Sequence, residues 1–343
     1  MNPEAARKAF GKGIYLHAAG GPLTHNAGCL AEGLMELGIP VKLNTDKITA
    51  RPVSMPLAGV DLASLVSPAY TNLAGYVVDI THTNAYVPFE GVPPARVIYL
   101  NQSDAAAFSR LPDDQVLLVA HENSFADKGG VRRPIAFGLS KRLIAATEKR
   151  PAFFARQHGA LRNFRPTLNQ GVRALLDIAF VPHLARHMPV DSSLRKADAY
   201  LAALLSNSVC LAYGGDFYSP IADNPWFAKH EPATAEAHAF KHLSAPAMVL
   251  RWDSFRLWES FAAGCLTVHL DFAKYGFALP VMPEPWVHYA PLDLDNLVGS
   301  VEELLDREKQ WPDIAEAGRA WAIQHYAPTP TALRALAVLT VRS

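Results

Sequence analysis

The chain has 343 residues, which is enough for two domains with substantial cores. Half of the residues are hydrophobic and 19% are charged, a composition typical of folded globular proteins and not of disordered ones. The 32 basic and 32 acidic side chains cancel, so bulk charge gives no reason to expect a nucleic-acid partner.

Three cysteines, at positions 29, 210 and 265, lie far apart and indicate neither a disulfide framework nor a paired metal motif. The histidines are dispersed as well, so no metal site is expected. The first ten residues lack the apolar core of a secretory signal, and no apolar run reaches the ~20 residues that cross a bilayer. We therefore predict a cytoplasmic protein. The apolar segment 332–341 favours a packed last helix, with peripheral contact to the cytoplasmic face of a membrane as the alternative.

The segment 13–46 predicts a strand, a glycine-containing turn, a helix and a second strand. Leucines recur at helical spacing at positions 30, 34 and 37, and Gly38 is the expected end of the helix. Gly20 and Gly21 in the turn would let the backbone approach a ligand closely. The turn lacks the G-x-G-x-x-G pattern of dinucleotide-binding folds, which disfavours a nicotinamide-dependent enzyme.

Further strands are predicted from short apolar, β-rich runs, which in the first half lie at 77–80, 97–100, 116–120 and 135–138. A charged segment at 141–151 predicts a helix and then a linker. In the second half the strand signals lie at 152–156, 177–181, 209–213, 248–251 and 266–270. This order of elements, in a chain of this length, predicts an α/β protein with two Rossmann-like halves.

Two loops of the second half carry residues suited to phosphate or sugar. Arg156 and Arg162, in F-F-A-R-Q-H-G-A-L-R-N-F-R-P, follow the first predicted strand of this half, and arginine can fork around phosphate oxygens. Gly214 and Gly215, after the 209–213 strand, would allow a nucleotide sugar to approach the backbone. The alternatives are a solvated basic loop and a structured surface loop.

The stretch R-W-D-S-F-R-L-W-E-S-F-A-A-G-C-L-T-V-H-L-D, residues 251–271, predicts a strand end, a short helix and a buried strand. Asp253 or Ser254 can cap the first helical turn. Gly264 stands where a left-handed residue would end the helix.

Arg256 and Glu259 lie three residues apart on this helix. Beside a helix N-terminus at the carboxyl edge of a parallel sheet, a guanidinium suits a diphosphate, and a carboxylate can accept from ribose hydroxyls. The pattern therefore indicates a nucleotide-binding corner. The alternative is a surface ion pair between the two side chains, worth ~0.2–0.5 kcal/mol.

The segment R-L-W-E-S-F-A-A-G-C-L-T-V, followed by D-F-A-K-Y-G-F-A-L-P, resembles the C-terminal half of GT-B glycosyltransferases. It is most similar to the exostosin-like and related sugar transferases, whose motif runs Ser-x-Arg-Leu-x-Glu-Ala-x-x-x-Gly-Cys-x-Pro-Val. Four positions match: Arg256, Glu259, Gly264 and Cys265. Thr267 replaces the usual proline, and Arg251 stands where retaining members with two glutamates eight residues apart would have an acid.

The resemblance implies a GT-B architecture of two Rossmann-like domains that face a central cleft. Residues 1–148 would form the acceptor-side domain, residues 149–326 the nucleotide-sugar domain, and residues 327–343 a last helix packed back on the first domain. Arg256 would contact the donor diphosphate and Glu259 its ribose, with Asp253 and Ser254 beside them. The donor is then a co-substrate, no cofactor or metal is expected, and the acceptor is a hydroxyl of a glycan, a lipid or another molecule, as in polysaccharide biosynthesis.

Inverting members of this fold need a general base, which would lie in the first half. His25 is our first choice, because several inverting GT-B families keep a base in the loop after the first strand. His82 and the His121–Glu122 pair also lie at predicted strand ends, and imidazole titrates near neutrality. For each of these histidines, a structural hydrogen-bonding role is the alternative.

Two other classes of function are compatible with the same features. One is a hydrolase or epimerase of nucleotide sugars, which would turn over the donor without a separate acceptor. The other is a non-catalytic protein that binds nucleotide sugars. The sequence identifies neither the donor sugar, nor the stereochemical outcome, nor the oligomeric state.

Overall fold

A computed structural model describes residues 1–104, 106, 109, 111–124, 131–165, 171–218 and 248–342. The chain divides into two compact units. The first comprises Met1–Glu122, Asp127–Ala146 and Ala322–Ser343, and the second comprises Asn123–Ala126 and Thr147–Trp321. Each unit contains its own parallel sheet, which confirms the predicted α/β class with two Rossmann-like halves.

The first unit is built on a six-stranded sheet with the order β2-β1-β3-β4-β5-β6, in which every pair is parallel. Its strands are β1 (Ile14–Ala18), β2 (Val41–Leu43), β3 (Gly75–Asp79), β4 (Val97–Asn101), β5 (Val116–Val119) and β6 (Val131–Pro134). Its helices include α1 (Pro3–Phe10), α2 (His25–Glu36), α3 (Lys141–Ala146) and the last helix of the chain, α10 (Pro328–Arg342).

Helix α10 packs against α2, and glycines on α2 and β3 make room for α10. A Cβ on Gly33 of α2 would lie 2.0 Å from the Pro328 carbonyl oxygen, and one on Gly75 would lie 3.0 Å from the Leu339 side chain. Gly38 follows α2 with a φ of 72°, in the left-handed region, so the predicted end of this helix is confirmed.

Irregular chain on either side of β3, at residues 66–74 and 80–92, packs in place of a helix on the sheet face that carries tyrosines from three strands. Tyr15, Tyr76 and Tyr99 are buried there, and each hydroxyl donates to a carbonyl oxygen of the irregular segment. The acceptors are Ser67 at 3.1 Å, Tyr70 at 2.7 Å and Val87 at 3.0 Å, respectively. These bonds satisfy backbone groups that have no ladder partner, and they hold the segment on the sheet.

The second unit contains a five-stranded parallel sheet with the order β13-β12-β9-β7-β8. Its strands are β7 (Gln157–Leu161), β8 (Val190–Asp191), β9 (Asn207–Leu211), β12 (Leu266–Leu270) and β13 (Ala290–Leu292), and β10 (Asp216–Tyr218) pairs antiparallel with β11 (Met248–Leu250). Its helices include α4 (Gly171–Ala179), α5 (Val181–Leu184), α6 (Ala197–Ser206), α7 (Phe255–Ala263), α8 (Leu297–Asp306) and most of α9 (Trp311–Tyr326).

Helix α7 begins and ends as its sequence predicts. The Ser254 hydroxyl accepts from the Leu257 N–H at 3.4 Å, and Gly264 ends the helix with φ 65° and ψ 38°. Every side chain from Leu257 to Ala263 is buried, so the helix is part of the core. Glu259 is only 1% exposed, and the predicted alternative of a surface ion pair with Arg256 is therefore wrong.

Three predicted strands are wrong. Residues 152–156 contain a 3₁₀ turn, and the strand follows it at β7. Residues 177–181 are helical, because the apolar positions 172, 175 and 176 recur at helical spacing and bury one face of α4. Residues 135–138 are buried loop, and the edge strand β6 precedes them with two arginines that mask the strand pattern. Among the described residues, no helix is both long and apolar enough to span a bilayer.

Candidate functional site

In the second unit, the sheet is extended in opposite directions from the neighbouring strands β7 and β9. The loops after such a pair leave a crevice at the carboxyl edge, and this is where α/β sheets bind ligands. The loop after β7 begins with Arg162, Asn163 and Phe164, and the loop after β9 begins at Ala212. The residues around these two loops are therefore the candidate donor site.

Three guanidinium groups surround the buried ring of Phe164. The guanidinium carbons of Arg162, Arg173 and Arg256 lie 4.2, 4.9 and 5.8 Å from the ring centre. Cation–π contacts of this kind hold arginine planes in fixed orientations. We call these three side chains the arginine cluster. They come from β7's loop, α4 and α7, which are separated in sequence.

Each member of the cluster is oriented by a further contact. Arg162 pairs with Asp177 of α4, and the Arg162 Nε–Asp177 Oδ1 distance is 2.7 Å. The Arg256 Nε donates to the Asn163 carbonyl oxygen at 2.6 Å, which ties the first turn of α7 to the loop after β7. Arg162 and Arg256 were both predicted for the donor site, and the structure brings these two side chains together.

Arg173 was not among the predicted site residues. Its Nε donates to the Tyr213 carbonyl oxygen at 3.4 Å, and a Cβ on Gly214 would lie 3.3 Å from its Nη2. Gly214 therefore allows the guanidinium to lie against the loop after β9. The position of Arg173 in the apolar run V-R-A-L-L gave no sequence signal beyond an isolated charge.

Gly215 of the predicted glycine pair is required by the backbone. Gly215 has a φ of 121°, and a Cβ there would lie 2.6 Å from Val249 Cγ1. The carboxylate of Asp216 next to it is buried and accepts from the Gly171 N–H at 3.2 Å, at the first residue of α4. Glycine at 215 therefore allows the loop to turn into β10.

Glu259 lies one turn after Arg256 and accepts from the Tyr200 hydroxyl at 2.8 Å. Burial raises the pKa of Tyr200 well above its ordinary value, and the Glu259 charge raises it further, so the phenol stays protonated as a donor. Asp253 is also buried and accepts from the Trp258 Nε1 at 2.6 Å. The structure thus gathers the predicted residues of α7 around its first two turns.

Arg156 lies elsewhere in the second unit, before β7 at the amino edge of the sheet. Its Nη2 donates to the Ala263 carbonyl oxygen at 2.7 Å, at the end of α7, and its Nη1 lies 3.4 Å from Cys265 Sγ. The structure does not bring it together with the arginine cluster. Its contact with a nucleotide stays a prediction.

In the first unit, the glycine turn after β1 lies against the loop after β3. A Cβ on Gly21 would lie 2.6 Å from the His82 ring, and one on Gly20 would lie 2.9 Å from Thr83. The His82 Nε2 is 3.0 Å from the Pro22 carbonyl oxygen, and the side chain is exposed. The structure thus brings together the predicted glycines and one predicted base.

The buried carboxylate of Asp79, the last residue of β3, ties these two loops together. Its Oδ2 accepts from the N–H and hydroxyl of Thr24 at 3.0 and 2.6 Å. Its Oδ1 accepts from the N–H and hydroxyl of Thr81 at 3.1 and 2.6 Å. Thr24 precedes His25, and Thr81 precedes His82. Asp79 was not among the predicted site residues, although an acidic residue at the end of an apolar strand is a sequence signal for a site.

The other predicted bases are buried. His25 begins α2 and is 0% exposed, and desolvation lowers its pKa to about 4. Its Nε2 lies 3.4 Å from Cys29 Sγ. Glu122 is buried in an ion pair with Arg132, whose Nη2 lies 2.9 Å from its Oε2.

No group of three or more histidine, cysteine, aspartate or glutamate side chains in the described parts of the chain could hold a metal ion.

The fold of the chain matches solved structures of glycosyltransferases. An alpha-glucosyltransferase in complex with UDP-glucose and DNA containing an abasic site aligns over 95% of this chain and 98% of its own length, with a TM-score of 0.51 and 8% identity. An alpha-glucosyltransferase in complex with UDP and a 13-mer DNA containing a HMU base aligns over 95% and 99%, with a TM-score of 0.50 and 10% identity. The predicted GT-B fold is thereby confirmed. No protein-family model and no curated protein matches the sequence. A specific relation to the exostosin-like enzymes stays a prediction.

Proposed function

We propose that the protein is a glycosyltransferase that moves a sugar from a nucleotide-diphosphate donor to an acceptor hydroxyl. The observation that carries this proposal is the arginine cluster at the switch point of the second unit, in a chain with the GT-B fold. UDP-sugars are the first candidates for the donor, because the structurally similar alpha-glucosyltransferase is in complex with UDP-glucose.

The cluster matches the main electrostatic requirement of glycosyl transfer. When the bond from the anomeric carbon to the diphosphate breaks, the nucleoside diphosphate leaves with negative charge, and fixed cations nearby stabilise that charge. Arginine keeps its charge at every relevant pH and can bind two phosphate oxygens at once. Arg173 and Arg256 would act on the diphosphate in this way without a metal, and Glu259 would accept from the ribose.

The acceptor hydroxyl has to lose a proton as its oxygen attacks the anomeric carbon. In an inverting transfer His82 would take this proton, because its imidazole is exposed beside the glycine turn. His25 is buried with a pKa lowered to about 4, so its surroundings favour the structural alternative that the sequence left open. Asp79 would hold the two loops that carry these residues.

A ligand screen on the purified protein tests the donor assignment. UDP, GDP, CMP and dTDP sugars are compared by thermal shift, since a ligand that binds the folded state raises Tm. We expect a UDP-sugar to raise Tm, with Arg173→Ala and Arg256→Ala weakening Kd by roughly tenfold or more each. Arg307→Ala is the matched control, because Arg307 lies in the same unit but outside the arginine cluster, where it pairs with Glu303 and packs on the Trp286 ring. Equal affinity in all three variants would refute the assignment.

Measuring the release of UDP with and without an added acceptor then separates a transferase from a hydrolase and from a non-catalytic binding protein. Release of UDP that requires an added acceptor supports a transferase. Release at the same rate in water alone indicates a hydrolase. Binding without any turnover indicates a protein that only holds the nucleotide sugar.

A further inference from the structure

A groove in the first unit lies at the carboxyl edge of β1 and β2. Its volume is about 720 Å³, within the range of 300 to 1,000 Å³ that is usual for small-molecule sites. It is lined by residues from the turn after β1, the loop after β2 and the turn at 62–66: Gly21, Pro22, Asn44, Thr45, Asp46, Lys47, Ala63 and Val66.

Two of the lining residues contact His82. The His82 Nε2 lies 3.0 Å from the Pro22 carbonyl oxygen, and its ring packs against Gly21. The groove therefore borders the same turn as the base proposed above. Asn44 keeps the groove wall fixed, because its side-chain amide bonds to both the N–H and the carbonyl oxygen of Ala18, at 2.8 and 3.0 Å.

We propose that this groove binds a neutral carbohydrate, one to three sugar units long, as the acceptor. Thr45, Asp46 and Lys47 contribute a hydroxyl, a carboxylate and an ammonium group to the lining, which can bond to sugar hydroxyls. Pro22, Ala63 and Val66 contribute apolar surface, which suits the C–H face of a pyranose. The identity of the ligand as acceptor rests on the proposed function, but the binding site does not.

The lining disfavours the other classes of acceptor. Nucleic acid is bound through several arginines and lysines on phosphates, and among the eight lining residues Lys47 is the single cation, beside Asp46. An acyl chain needs a continuous apolar wall, and half of this lining is polar. A neutral polyhydroxyl ligand is the class that a lining of half polar and half non-polar residues fits.

Nuclear magnetic resonance with isotope-labelled protein tests this site directly. The probes are maltotriose, cellotriose, laminaritriose and triacetylchitotriose, and a 13-base-pair DNA duplex is measured in parallel. Ala63→Trp is designed to fill the groove from an exposed position, and Ala69→Trp is the matched control on the same loop, exposed and outside the lining.

We expect at least one trisaccharide to shift the backbone amides of Thr45 and Ala63. Ala63→Trp should weaken this binding by roughly tenfold or more, and Ala69→Trp should leave it unchanged. The proposal is overturned if no trisaccharide shifts these amides, if Ala63→Trp binds as the wild type does, or if only the DNA duplex shifts them. Saccharide binding here without any UDP binding to the protein would support this site and refute the transferase proposal, so the two failures are distinguishable.

Discussion

His25 in the first unit and His269 in the second are fully buried, and desolvation lowers the pKa of both to about 4. An unfolded chain protonates its histidines near 6.5, so the unfolded state binds more protons than the folded state between pH 6.5 and pH 4. The stability that each neutral imidazole contributes is therefore fully present above pH 6.5 and is lost as the pH falls towards 4.

We expect His25→Gln to reveal this dependence in urea unfolding. The wild type loses stability through His25 on acidification and the variant does not, so the free-energy difference between them should shrink by about 1 kcal/mol from pH 6 to pH 5. Because the variant is compared with the wild type at each pH, the contribution of titrating carboxylates to the free energy of unfolding cancels. A difference that stays constant with pH would mean that His25 is not held neutral by burial.

His82→Asn tests the proposed base at the same scale. Asparagine keeps a hydrogen-bonding side chain beside the Pro22 carbonyl but cannot take up a proton, so kcat for sugar transfer should fall by about 10²- to 10⁴-fold. Thermal-shift binding of the donor, which is proposed for the second unit, should not change. Unimpaired transfer in this variant would remove His82 from the mechanism.

At the scale of elements, the tyrosine bonds hold an irregular segment where a Rossmann-like unit commonly has helices. Tyr76→Phe removes the bond from its hydroxyl to the Tyr70 carbonyl oxygen and leaves a buried acceptor unsatisfied, which should cost about 1 kcal/mol. Amide hydrogen exchange in residues 66–74 should become faster, because this irregular segment then opens more often.

Tyr213→Phe is the matched comparison in the second unit. The Tyr213 hydroxyl is buried without a hydrogen-bond partner among the described residues, so its removal should be neutral or stabilising in the same unfolding assay. The opposite signs of the two Tyr→Phe changes make the pair informative. Equal losses in both variants would show that the hydrogen bond of Tyr76 does not account for its loss, because both changes remove a hydroxyl and only one removes that bond.

Helix α7 and helix α4 show what a single sequence can and cannot predict. Ser254 and Gly264 define α7 because capping depends on residues within the helix itself. The 177–181 segment of the α4–α5 region was predicted as a strand, since a short apolar run fits a buried strand and a buried helix equally well. The irregular cover on the first sheet left no periodic pattern at all.

The residues of the candidate site also fall into those with a local sequence signal and those brought in by tertiary contacts. Arg162, Arg256 and Glu259 could be found because a loop or helix start next to a strand is a local signal. Arg173 joins them through Phe164 and Tyr213, which are contacts made only after folding. The burial of His25 likewise depends on tertiary packing, which the sequence does not show. By sequence, its position after the first strand made His25 the leading candidate for the base. In the structure His25 is buried and His82 is exposed.

At the scale of the whole molecule, the two ligand sites that we propose lie on different sheets and differ in chemistry. The second unit brings three guanidinium groups together around Phe164, one of them paired with Asp177, whereas the groove of the first unit has one carboxylate and one ammonium among its lining side chains. A charged donor and a neutral acceptor are therefore expected to bind separate units. Which unit binds the donor can be measured without knowing the natural acceptor.

Hydrogen–deuterium exchange with UDP is the measurement. Ligand binding to folded protein slows local opening where contacts form, so we expect slower exchange in peptides covering 160–165, 171–175 and 252–260. Peptides covering 19–24 and 44–48 should exchange as in the free protein. Arg256→Ala should abolish the protection at a UDP concentration that protects the wild type, and Arg307→Ala should retain it. Protection centred on the first unit would contradict the donor assignment, because the diphosphate would then be held by groups other than the arginine cluster.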